Sequence, residues 1–173
     1  MGVLLMLNIK LTEHKEALEK RLAALHYLAT HKVDVGLPPG SPSRSRFLLA
    51  IHERGSPVMH IPPRPVIGPG LSRPETRQAM TEALNAAVTA AHEGDEAAAQ
   101  AGLEACGQAG ADGIRAYIDS GIQPGNSPVT ISGGWVYNRV AKTGVPVRGK
   151  GFDKPLYDTG ELYRSFSYEI KTK

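Results

Sequence analysis

Nineteen glycines and thirteen prolines punctuate the 173 residues. Proline removes a backbone donor and glycine weakens helices and strands alike. The chain is therefore confined to a few regular elements joined by long irregular stretches.

Thr12 is placed to cap a helix reaching about Thr30. Leu11, Leu18, Leu22, Leu25 and Ala29 recur at helical spacing, with Lys15, Glu16, Glu19 and Lys20 off the stripe. The stripe is expected to pack on the chain's own core, and a helix contact between subunits is the alternative. Lys32 to Gly36 alternates as a strand does, until Pro38 and Pro39 end it. Residues 46–53 read as a short helix that Gly55 and Pro57 stop. Ile61-Pro62-Pro63-Arg64-Pro65 must run extended, because a residue before proline is pushed out of the α region.

Pro74 suits the first turn of a second long helix that ends near His92. Gly94 interrupts it, and Asp95 can cap a third helix reaching about Ser120. Alanines at 86, 87, 90, 91 and 97–99 favour helix and let neighbours pack closely. Gly102, Gly107, Gly110 and Gly113 weaken that third helix and mark close approach to a neighbour. From Ile122 to Pro155, glycine and proline predict one long loop, mobile in the free subunit and ordered by partners. A helical turn at 159–164 and a polar–apolar alternation at 165–170 predict a closing strand. The expected architecture is a single α+β domain over residues 1–173. It has a small antiparallel sheet packed with long helices, plus the Gly/Pro-rich loop at 122–155.

No apolar run approaches the ~20 residues a bilayer crossing needs, so no membrane contact is expected. The apolar start at Val3–Leu7 lacks a basic flank and a small-residue cleavage site, which argues against a signal peptide. Met6 stands where a myristoylation signal wants Ser or Thr. Cys106 is the one cysteine, which excludes an intrachain disulfide and a cysteine zinc site.

The net charge of +3 conceals a strong asymmetry. Residues 78–121 carry one basic and seven acidic side chains, whereas residues 122–173 carry eight and four. Residues 122–151 hold no acid at all, only Arg139, Lys142, Arg148 and Lys150. Such a division suits contact with nucleic acid or with an oppositely charged protein surface.

Several catalytic motifs are present only in outline. Gly144 to Lys150 fits the start of a phosphate-binding loop, but Gly151 replaces the hydroxyl residue and Pro146 removes an amide. Asp158-Thr159-Gly160 is the aspartic-protease tripeptide, yet too little chain follows to build that fold. Asp158 or Thr159 capping a short helix, with Gly160 permitting the turn, is the better structural reading. His52-Glu53 has Ser56 where a second zinc histidine belongs. No enzyme activity, metal or cofactor is expected.

The order of blocks points elsewhere. Glu53-Arg54-Gly55, Ile61-Pro62-Pro63-Arg64-Pro65, the helix through Ile114–Gly121, Thr130-Ile131 and Lys154-Pro155-Leu156-Tyr157-Asp158-Thr159-Gly160-Glu161-Leu162 follow one another. This resembles the virion-morphogenesis and minor-tail family of tailed bacteriophages, whose members are small neck or tail-completion proteins. The resemblance spans most of residues 30–170, and its last block is the most specific. It implies a non-catalytic α+β subunit, without cofactor, that joins a ring at the head–tail junction. Assembly would take place in the bacterial host cytoplasm and the product would reside in the neck or upper tail of the virion. The implied partners are further copies of itself, other neck and tail proteins, and duplex DNA passing through the channel. A tail-terminator ring is the alternative within that class, and a DNA-binding module the alternative outside it.

The positions carried over are Glu53, Gly55, Arg64, Pro65, Pro155, Asp158, Thr159 and Gly160. Prolines on both sides of Arg64 aim its guanidinium, and Glu53 is its expected carboxylate partner. At the ring contact, the acidic helices, through Glu93, Glu96 and Glu104, are expected to face Arg139, Lys142, Arg148 or Lys150 of a neighbour.

Overall fold

A computed structural model describes residues 2–58, 60–138 and 142–173. Among these the chain forms seven helices and four strands, arranged as two small two-stranded antiparallel sheets with the helices. The mixed α+β class follows directly. The chain divides into two compact units, each assembled from separated segments.

The first unit holds the residues up to Pro38 together with Ser72–Gly113 and Ser167–Lys173. Helix α1 spans Gly2–Thr30 and β1 spans His31–Gly36. Helix α4 runs over Pro74–Glu93, and most of α5 (Glu96–Asp119) belongs here, as does β4 (Ser167–Thr172). Local chemistry sets the helix ends. Pro74 occupies the first turn of α4, and Gly94 closes that helix in the left-handed region at φ 84°. The Asp95 carboxylate then accepts the Ala98 amide at 2.9 Å to cap α5. Ala24, Ala91 and Ala99 are wholly buried together, with Leu25, Leu28 and Ala90 packed around them.

The predicted α1 stripe is overturned: of its described side chains only Leu25 is partly buried, and Ala29 is exposed. Leu18 and Leu22 are 56% and 57% exposed, while Ala24 is wholly buried. Side chains as small as those of Ala91 and Ala99 cover little of a facing helix. Thr12 does not begin the helix, because α1 already starts at Gly2 and carries Thr12 in its interior.

Strand β1 pairs antiparallel with β4, from His31 opposite Thr172 to Gly36 opposite Ser167. Val33 and Val35 stand across from Ile170 and Tyr168 on one face. The other face is ionic, with Lys171 reaching Asp34 and Glu169 at 3.1 Å each. A lone pair of strands is marginal in water and needs a helix beneath it. Gly107 of α5 supplies the seat, since a Cβ there would collide with the Tyr168 ring. Gly102 and Gly113 likewise approach Ala87 and Thr76, so the expected close neighbours lie within the chain itself.

The second unit comprises Pro39–Leu71 and Ile114–Phe166. Helix α2 spans Ser43–Arg54 and α3 spans Ile67–Ser72. Helix α6 covers Pro128–Ser132, and β2 (Gly134–Asn138) pairs antiparallel with β3 (Thr143–Val147). Helix α7 covers Glu161–Ser165. Phe166, Ile114, Ile118 and Val66 are the large, almost fully buried side chains of this unit, and Leu49 and Leu162 are buried as well.

The single long loop expected at 122–155 is therefore corrected to a short helix and a hairpin. Pro128 sits in the first turn of α6, where its missing donor costs nothing, and the Ser127 side chain accepts the Thr130 amide. Pro146 is tolerated because each strand of a two-stranded ribbon is an edge.

Candidate functional site

The second unit contains a groove of about 850 Å³. One wall is a face of α2, where Arg44, Leu48 and His52 follow at four-residue spacing. The opposite wall comes from residues 124–130, the base of the β2–β3 hairpin and the Leu156–Leu162 turn. The Ile61–Arg64 segment also lines it.

Arg64 is 6% exposed and holds this wall in place. Its Nε donates to the Pro124 carbonyl and its Nη2 to the Gly125 carbonyl, both at 2.7 Å. The expected pair with Glu53 does not form. Glu53 Oε1 instead accepts the Val66 amide at 2.8 Å and the Ile67 amide at 3.0 Å, so it caps α3. The physical reason is that α3 opens right after the proline segment with amides needing an acceptor, and Glu53 reaches them. The Arg64 amide itself bonds the His52 carbonyl, which ties the proline segment to α2 by backbone rather than by an ion pair. Gly55 ends α2 at φ 72° and ψ 177°. A Cβ there would come within 2.9 Å of the Ile61 carbonyl oxygen, so the crossing of the two segments requires glycine. Pro65 is exposed next to this crossing.

Lys150 performs a similar service for the Leu156–Leu162 turn. Its Nζ donates to the Lys154 carbonyl at 2.8 Å and the Tyr157 carbonyl at 2.6 Å. Between them lies Leu156, buried and in the left-handed region at φ 59°. A non-glycine residue there is strained, and the two bonds from Lys150 hold the turn. Burial pushes the Lys150 ammonium below its ordinary pKa, against the pull of Asp158 and Asp153. Pro155 is buried in the same turn. Asp158 and Thr159 are exposed, and Gly160 forms the N-cap of α7 at φ 77°. The Thr159 hydroxyl accepts the Glu161 amide at 3.3 Å from just outside that helix. Asp158 makes no such cap.

Three side chains that sequence reasoning does not single out act here: His52 lines the groove, and Asp119 and Asp153 brace segments of the same unit. His52, which forms no zinc motif in the sequence, lines the groove with its Nδ1 buried and, among the described residues, without a hydrogen-bond partner. Burial, then the charges of Arg64 and Lys150, hold its imidazole below the ordinary pKa. Its four-residue spacing from Leu48 and Arg44 was the available signal. Asp119 accepts Lys154 Nζ at 2.6 Å and the Tyr163 hydroxyl at 2.7 Å, contacts that hold its carboxyl below the usual carboxylate range. Asp153 accepts the Asn126 amide at 2.7 Å and pins the loop that presents its carbonyls to Arg64.

Lys142 and Arg148 are exposed in the second unit, and Arg148 lines the groove. Arg139 lies outside the described residues. Glu96 and Glu104 are exposed on α5 in the first unit. Among the described residues no three His, Cys, Asp or Glu side chains are grouped to hold a metal ion, and no helix is long and apolar enough to cross a membrane. Comparison with protein-family models, curated proteins and solved structures finds no match. Function therefore rests on this geometry and on the order of the sequence blocks.

Proposed function

We propose that the chain is a structural subunit of a tailed-bacteriophage virion. It assembles into a ring at the head–tail junction or the upper end of the tail. The observation that carries this reading is the β2–β3 hairpin. Trp135 and Tyr137 lie on one face, 72% and 63% exposed. Val136, Val145 and Val147 lie on the other, at 46%, 39% and 39%. A ribbon apolar on both faces is poorly stable in water by itself, and a surface of this kind marks a contact with another protein. An arm that lies on the next copy of the ring supplies that cover.

The motif order gives the same reading independently, from Glu53-Arg54-Gly55 through Asp158-Thr159-Gly160. Purified particles containing the chain should show ring density at the neck or tail end in a cryo-microscopy map, with the hairpin against a neighbour. Particles that assemble fully without the chain would overturn the reading. A DNA-binding module is the second reading, favoured by the cations of the groove. Steeply salt-dependent binding of duplex DNA by the isolated protein would select it.

A further inference from the structure

We infer that the groove of the second unit receives the α4–α5 corner of another copy of the chain, in a head-to-tail contact. The inference rests on the ring reading and deepens it.

The groove carries Arg44, Arg64, Arg148 and Lys150 against two carboxylates, Asp158 and Glu161. Among the described residues none of the four cations forms an ion pair with a carboxylate. Arg64 and Lys150 bond backbone carbonyls, which accept their hydrogen bonds without cancelling their charge; Asp153 attracts both and Asp158 attracts Lys150, without forming an ion pair with either. Arg44 and Arg148 are exposed at the rim. A partly enclosed site with surplus positive charge and an apolar lining from Leu48, Val136 and Val147 suits a carboxylate-bearing protein segment.

Among the described residues, the corner between α4 and α5 is an exposed segment of matching chemistry. Glu93-Gly94-Asp95-Glu96 forms the tight corner between α4 and α5, and its three carboxylates are exposed. Asp95 is occupied in capping α5. Glu93 and Glu96 make no ion pair among the described residues. Glu93 is the last residue of α4, where the helix dipole disfavours an anion, so an external cation would relieve it. Corner and groove are different surfaces, and their contact is heterologous, as a ring requires.

Charge reversal tests this with exposed side chains that the fold does not need. The variants are Glu93→Lys with Glu96→Lys, Arg44→Glu with Arg148→Glu, and all four together, each read by sedimentation velocity with circular dichroism as the folding control. Each half-reversed variant should associate about tenfold or more weakly than the unaltered chain, and the four-fold variant should recover. Half-reversed variants that assemble as the unaltered chain does would overturn the contact and leave the ring reading standing. So would a four-fold variant that stays folded but does not recover. Loss of duplex-DNA binding in Arg44→Glu/Arg148→Glu, with self-association intact, would assign the groove to phosphates and overturn the inference. An unaltered chain that remains a monomer at every soluble concentration would count against the ring reading and the contact together.

Discussion

Arg64 and His52 both line the groove, and their chemistry is testable one side chain at a time. Arg64 makes two charge-assisted bonds, to the Pro124 and Gly125 carbonyls. Arg64→Met should lower stability by about 2–4 kcal/mol, the usual scale for losing such bonds in a buried place. In thermal unfolding that is roughly 2–4 °C per kcal/mol for a chain of this size. Glu53→Gln should cost under about 1 kcal/mol, because the amide oxygen still accepts the α3 amides. An ion pair between the two would have made both losses large. His52 predicts a pH dependence. Its folded pKa lies below the ordinary 6.5, so the unfolded chain takes up the proton first as pH falls. The stability held by neutral His52 is intact above that value and is lost as pH drops from it toward the folded pKa. Urea midpoints at pH 7.5 and 5.5 should diverge more for the unaltered chain than for His52→Gln. Equal divergence would remove His52 as the cause.

At the scale of elements, the crossing of α2 with the proline segment depends on Gly55. Gly55→Ala should cost about 2–4 kcal/mol from strain at positive φ together with the 2.9 Å approach to Ile61 O. Gly40→Ala, where nothing lies within 4 Å of the new methyl, should be nearly neutral. Urea unfolding of the two variants gives the comparison. The ends of α4 and α5 were legible in sequence, since Pro74, Gly94 and Asp95 act on the backbone within four residues of themselves. So were β1 and β4, whose alternation survives because one face meets α5 and the other stays wet. The β2–β3 hairpin was hidden by its own glycines and Pro146, which are compatible with strand only at an edge. The true partners of Arg64 and Glu53 were hidden for a different reason. They are main-chain groups some distance along the chain, and residue type carries no trace of which carbonyl or amide will be nearby.

For the whole molecule, the one tryptophan reports on assembly. Trp135 is 72% exposed, so the dissociated subunit should emit at long wavelength and be readily quenched by acrylamide. Ring formation through the hairpin should shift the emission to shorter wavelength and shield it. An assembled particle with unchanged emission would exclude the hairpin from the contact. The pairing of β1 with β4 has a further consequence for how the chain comes into being. Strand β4 is synthesised about 136 residues after β1, a delay of roughly 7 to 27 s at ~5–20 residues per second. All the segments of the second unit have been made by Phe166, before β4 begins. On the ribosome, then, the unit that bears the groove has its full sequence first. Throughout that interval β1 waits with an open edge, and Lys32 and Asp34 are the charges that guard it against pairing with the wrong strand.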